Sequence, residues 1–122
     1  MSVIRTAVRL KSRSKYHAAP TVVDGIRFAS KREAQRYGEL KRMEQAGHIL
    51  GVETQPQFLL WAHRFGDPLT AVPVGKYIAD FRYYKPDGEL VIEDVKGVST
   101  TVYRLKKRIV EAQYGITVRE VR

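Results

Sequence analysis

The chain has 122 residues and carries 22 lysines and arginines against 13 aspartates and glutamates, a formal charge of +9. That length predicts one compact domain, and 43% hydrophobic residues are enough for a core. With no cysteine, the sequence excludes a disulfide scaffold, a thiol nucleophile and any cysteine-ligated zinc or iron–sulfur site. The longest apolar runs, such as Phe58-Leu59-Leu60-Trp61, fall far short of a membrane span, and the opening residues lack the apolar stretch of a secretory signal. A soluble cytoplasmic protein without a membrane partner is expected. Its basic excess points to a polyanion, nucleic acid first among them.

Arg5, Arg9, Lys11, Arg13 and Lys15 precede the first acidic residue, Asp24, so residues 1–20 read as a basic N-terminal arm and residues 21–122 as the folded domain. Asp24-Gly25 is a turn signal and predicts a short hairpin of Thr21–Val23 with Ile26–Phe28. Ser30 with Glu33 forms a capping-box pattern ahead of a helix from Lys31 to Ala46. Ala34, Tyr37, Leu40 and Met43 give that helix an apolar face, and Gly47 is placed to end it. Ile49–Trp61 reads as a strand interrupted at Gln55-Pro56, and His63–Val74, with Pro68 and Pro73, as a loop or irregular strand. Two strands follow, Lys76–Tyr84 and Glu89–Lys96, joined by the turn Lys85-Pro86-Asp87-Gly88. A helix from about Val102 to Tyr114 is predicted to bury Val102, Leu105, Ile109 and Ala112 and to leave Arg104, Lys107, Arg108 and Glu111 off that stripe. Gly115 ends it, and Ile116–Val121 alternates as a last strand. The order is α-β-β-β-α-β: an α/β domain with a mixed central sheet flanked by helices.

Strand alternation singles out a constellation. Asp94 and Lys96 point to one face of their strand while Glu93 and Val95 point to the other. A hairpin with the preceding strand brings Asp80 towards Asp94, close enough to share a cation. Two carboxylates and a lysine are the groups that metal-assisted phosphodiester hydrolysis uses. Mg²⁺ takes oxygen ligands and keeps waters, and a nearby lysine can hold or deprotonate the attacking water. A structural carboxylate paired with Lys96 or Arg82 is the competing reading of Asp80. Glu93 reads as a salt-bridge residue of the opposite face. His17, His48 and His63 have no metal-ligand spacing.

Asp80 within Tyr77-Ile78-Ala79-Asp80-Phe81, and Asp94-Val95-Lys96 within Ile92–Gly97, resemble the split motif of the PD-(D/E)XK nuclease superfamily. The run Phe28–Ala34 resembles the opening of that superfamily's first helix, where a glutamate often adds a metal ligand. Residues 15–121 also resemble a family of small proteins encoded by phages and prophages. Ala79 stands where the motif's name has proline, and the second acid is aspartate, which the motif permits. The resemblance implies a single restriction-endonuclease-like domain over residues 21–122. It implies Mg²⁺, with Mn²⁺ as a substitute, on Asp80, Asp94, Glu33 and the Val95 backbone carbonyl, and Lys96 acting on the water. Glu33 as a mere N3 capping partner of Ser30 stays open beside that role, and Gln55 is a candidate auxiliary residue that equally fits a backbone-satisfying role beside Pro56.

Nucleic-acid contacts are expected from Lys15, His17, Arg32, Arg104, Lys107 and Arg108. No base-reading module is recognisable, so DNA would be recognised by shape, duplex or branched, or through a protein targeting partner. The expected function is a metal-dependent DNA endonuclease in phage DNA processing or recombination, acting in the bacterial host cell. Symmetric cutting of a branched junction implies a homodimer. A non-catalytic DNA-binding protein with a nuclease-like fold is the alternative, and a basic RNA-binding module ranks below both.

Overall fold

Asp24 and Gly25 take positive φ angles of 53° and 76°, the geometry of a two-residue hairpin turn, and join β1 (Thr21–Val23) to β2 (Ile26–Phe28) as expected. The computed structural model describes residues 20–96 and 99–122. The basic arm with Lys15 and His17 lies outside the described residues. Beyond the hairpin the Ser30 hydroxyl accepts the Glu33 backbone N–H at 3.2 Å and starts α1 (Lys31–Gln45). Gly47, at φ 80°, ends it: the His48 N–H donates back to the Met43 carbonyl at 2.9 Å, leaving few carbonyls of the last turn unmet.

The chain divides into two compact units with the break inside α1, between Glu39 and Leu40. In the first, the Tyr37 ring packs on Phe28 with centroids 5.1 Å apart, and its hydroxyl donates to Asp24 at 3.2 Å, tying the hairpin to the helix.

The second unit holds the sheet. β3 (Leu50–Thr54), β6 (Phe81–Tyr84), β7 (Leu90–Val95) and β8 (Val118–Val121) lie in the order β3-β6-β7-β8, antiparallel except for the β7–β8 pair. β4 (Gln57–Arg64) and β5 (Asp67–Ile78) form a separate antiparallel hairpin. The two pieces are one broken ribbon. Gln55-Pro56 separates β3 from β4, Ala79-Asp80 separates β5 from β6, and the breaks face each other. The Gln55 N–H donates to the Asp80 carbonyl at 2.9 Å and the Ala79 N–H to the Pro56 carbonyl at 3.1 Å. With each broken strand counted once, the order is the expected α-β-β-β-α-β. The described residues make a small mixed α/β fold with a central sheet and two helices. None of these helices is long and apolar enough to cross a membrane.

Two expectations are corrected. Lys76–Tyr84 is not one strand, because it breaks at Ala79-Asp80. Of the two readings of His63–Val74, the irregular strand holds: β4 runs to Arg64, the chain turns at Phe65-Gly66, and β5 carries Pro68 and Pro73 in a ribbon edge that tolerates a missing N–H. Register shifts at Leu60/Trp61 and His63/Arg64 absorb the irregularity. The second correction concerns α2 (Thr101–Tyr114), which runs from the Thr100 cap to Gly115 at φ 66°. Val102 and Leu105 are 61% and 58% exposed and Ala112 is exposed; Val110 is the fully buried residue, flanked by Tyr103 and Ile109. The helix docks about one residue rotated from its most apolar stripe. Tyr103 packs against the core in place of an aliphatic side chain, and Lys106 and Lys107 are half-buried.

That rotation packs Val110 against Phe58, Leu60, Tyr77, Ala79, Ile92 and Val118. Glu111 locks the helix to β8 by accepting the Val118 N–H at 2.8 Å. At the helix end Gln113 brackets Trp61, accepting its backbone N–H at 3.0 Å and donating to its carbonyl, while the Tyr114 hydroxyl donates to the Leu59 carbonyl at 2.7 Å. Val110→Ala is therefore expected to cost about 2 kcal/mol in urea unfolding, and Leu105→Ala less than about 0.5 kcal/mol. The reverse ranking would restore the apolar stripe as the packed face.

Candidate active site

Asp80 sits in the break between β5 and β6, and the break gives its side chain a role that a regular strand residue lacks. Its N–H donates to the Glu93 carbonyl at 3.0 Å, and its carboxylate accepts the Val95 N–H at 2.7 Å. The carboxylate thus takes a β7 donor that a continuing strand backbone would otherwise take. The β6–β7 register ends at Phe81↔Glu93, and one step further sets Asp80 against Asp94. Ile92 and Asp94 share a face of β7. Ile92 belongs to the same core cluster as Val110 of α2, so this is the face turned towards that cluster.

Asp94 is 4% exposed. The Tyr77 hydroxyl donates to it. Burial pushes its carboxyl up to about 6; Lys96 and the Asp80 N–H oppose that rise, and Glu120 adds to it. Burial raises Asp80 as well, against the pull of the Val95 N–H and Lys96. The site therefore gathers two desolvated carboxylates, and Lys96 is a cation that favours the ionised form of both. The Lys96 ammonium lies 3.3 Å from the centre of the Tyr103 ring, a cation–π contact, and its backbone N–H donates to the Val121 carbonyl at 2.8 Å.

Glu120 faces Asp94 across the parallel β7–β8 pair. It accepts the Tyr103 hydroxyl at 2.8 Å and the Lys107 ammonium at 3.2 Å, and these two donors hold its carboxyl below the usual range. Tyr77, Tyr103 and Glu120 are the neighbours that the sequence reading did not assign to the site. For Tyr77 strand alternation pointed away from the site, because residues 77 and 80 fall on opposite faces of an unbroken strand. For Glu120 the signal lay in the β7–β8 register, which no local pattern fixes.

The structure brings Asp80, Asp94 and Lys96 together. Arg104, Lys107 and Arg108 line one surface depression with Ser99, Glu111 and Glu120. Arg104 and Arg108 are exposed, as expected, whereas Lys107 is only 25% exposed and committed to Glu120. Gln55 is exposed at φ 54°, and its backbone, through the bond to the Asp80 carbonyl, belongs to the break. Glu93 is on the opposite face, as expected, but it is fully buried and accepts the Tyr83 hydroxyl. Arg32 and Glu33 belong to the first unit, where Arg32 pairs with Glu39 at 3.6 Å. Among the described residues no group of three or more His, Cys, Asp or Glu side chains is gathered to hold a metal ion. An ion at Asp80 and Asp94 would therefore complete its shell with water, backbone oxygen or substrate, which suits a hard cation such as Mg²⁺.

The raised Asp94 carboxyl has a pH signature. The folded chain holds this proton more tightly than the unfolded chain, whose carboxyl titrates near 3.8, so the stabilising share is full below that value and is lost as pH rises to about 6. Asp94→Asn should raise unfolding stability at pH 8 by about 2 kcal/mol in urea titrations without divalent cations, and leave it unchanged below pH of about 4. An equal gain at both pH values would assign the effect to packing and not to charge.

Searches of the curated proteins and of the solved structures find no significant match. A family described as a protein of unknown function, DUF1064, matches residues 13–121, a span that includes every element described above. The chain belongs to the DUF1064 family.

Proposed function

We propose that this protein is a divalent-metal-dependent DNA endonuclease of the PD-(D/E)XK type, with a restriction-endonuclease-like core. The observation that carries the reading is the pair of desolvated carboxylates, buried Asp94 and half-buried Asp80, with Lys96 beside them. Neighbouring carboxylates repel unless a cation or proton intervenes, and burial raises both carboxyls here. An all-oxygen, partly desolvated donor set of this kind fits Mg²⁺, or Mn²⁺ in its place. Asp80 and Asp94 would hold the ion, with the Val95 carbonyl as a further ligand that the family resemblance implies; Glu33, which the resemblance also implies, belongs to the first unit. Once bound, such an ion supplies charge neutralisation at the phosphate and acidifies water.

The chain's own residues divide the remaining work. Lys96 holds the attacking water and stabilises charge on the phosphate as the new P–O bond forms and the ester P–O bond breaks. Tyr103 positions Lys96 by presenting its ring face, and Glu120 fixes that ring through its hydroxyl. Tyr77 orients the Asp94 carboxylate. Arg104 and Arg108, with Lys107 behind them, contact phosphates flanking the scissile one, which gives salt-dependent affinity without base reading. The substrate is duplex or branched DNA in phage DNA processing or recombination within the bacterial host cell. Two copies would cut the two strands, and a protein partner would supply targeting.

One observation favours a second reading, a non-catalytic DNA-binding protein. Lys96 rests on Tyr103, and Asp94 already has a phenolic donor, so the cluster holds together without an ion. Plasmid and four-way-junction DNA incubated with Mg²⁺, Mn²⁺ or EDTA separates the two. Metal-dependent cutting is expected, with Asp80→Ala and Lys96→Ala each lowering the rate about 100-fold or more while binding persists. Binding without cutting in either metal would select the second reading. Arg104→Ala combined with Lys107→Ala should lower the slope of log affinity against log salt by about 1–2. An unchanged slope would remove α2 from the DNA-contacting surface.

A further inference from the structure

The β4–β5 hairpin carries far more exposed apolar surface than the core requires. The first half of β4 alternates: Phe58 and Leu60 face the core, and Leu59 points away at 48% exposed; Trp61, beyond them, is 37% exposed. The register pairs Gln57 with Ile78 and Leu59 with Lys76 on the outer face of the hairpin, and Trp61 with Pro73 past a register shift. Ile78 is 45% exposed and Val74 62%. At the tip, Phe65 and Leu69 are essentially fully solvated, at 106% and 93%. These six side chains together leave roughly 700 Å² of apolar surface in water, more than a monomer usually leaves in one patch. A standard interface takes about 800 Å² from each partner.

Charge identifies the occupant. Residues 57–78 contain Arg64 and Lys76 against Asp67, a net of +1 in a chain of +9. Asp67 is already engaged by the Leu69 N–H and the Thr70 hydroxyl. A polyanion finds little to pair with here, and so does a strongly acidic protein. Two copies of so basic a chain repel each other, and a hairpin with three charged side chains adds little to that repulsion. Its aromatic and aliphatic make-up, with almost no acidic residue, matches the core of a self-association interface.

We infer that the outer face and tip of the β4–β5 hairpin form a homodimer interface, in which Leu59, Trp61, Phe65 and Leu69 of two copies pack about a two-fold axis. The inference rests on the exposed face and not on the nuclease reading, and its test needs neither DNA nor metal. Sedimentation of the full chain, freed of nucleic acid, at tens of micromolar and physiological salt should give twice the mass of the 14.0 kDa chain. Trp61 is the only tryptophan, so its emission should shift to the blue as concentration rises into the dimer range. Leu59→Lys combined with Phe65→Ser should weaken association about 100-fold or more with unchanged circular dichroism. If that pair disturbs folding, Phe65→Ser with Leu69→Ser, both at the solvated tip, should weaken association in a folded chain. A wild-type monomer throughout the range overturns the inference, whether the face is bare or covered by another part of the chain. A dimer that survives the folded tip variant, or an open-ended assembly in place of a closed pair, overturns it equally.

Discussion

A break shared by two paired strands governs the candidate site. Pro56 has no N–H to give, and Gln55 beside it takes a positive φ, so the β3–β4 strand cannot run straight through. The facing strand breaks at the same level, and Asp80 falls in the gap. Its carboxylate then turns to the Val95 N–H. Were the ribbon regular, that N–H would belong to a backbone ladder, and the Asp80 carboxylate would not be its acceptor. The covalent restriction of one proline is thus felt on a strand nearly forty residues further along the chain.

Around this gap the protein manages charge with neutral donors more than with counter-ions. Two phenols, Tyr77 and Tyr103, and two backbone N–H groups meet the acids at close range. Lys96 is held on an aromatic face and Lys107 is spent on Glu120. Neutral donors stabilise a carboxylate without cancelling its charge, which leaves the pair with a standing preference for a proton or a cation. The exposed arginines of α2 are separate from this balance. They lie along a surface depression where solvent screens them, so one helix presents long-range attraction on its outside and positioning groups towards the sheet.

Local chemistry made much of this fold legible. Asp24-Gly25, the Ser30 cap, Gly47, the Lys85–Gly88 turn and Gly115 all act where the sequence places them, because turns and caps are decided within a few residues. The Asp80–Asp94–Lys96 grouping was legible for a related reason: period-2 alternation and a short hairpin bound the geometry. What escaped was set by distant partners. Prolines at 68 and 73 leave a loop and an irregular strand both open, and only the register of the long hairpin decides for the strand. The apolar stripe of α2 loses to the shape of the sheet beneath it, which accepts Val110 and Tyr103 and leaves Val102 and Leu105 in water. Glu120 comes to Asp94 only through parallel pairing across a helical crossover, a contact that no spacing rule encodes.

The Gln113 side chain bonds both backbone groups of Trp61, a partner 52 residues away, much as a neighbouring strand would. Until α2 docks, that stretch of β4 is an open template beside a run of apolar side chains. Local hairpin pairing forms on the microsecond scale, whereas a closure spanning so much chain arrives later. Docking of α2 thus closes an edge that would otherwise be open to pairing with another chain.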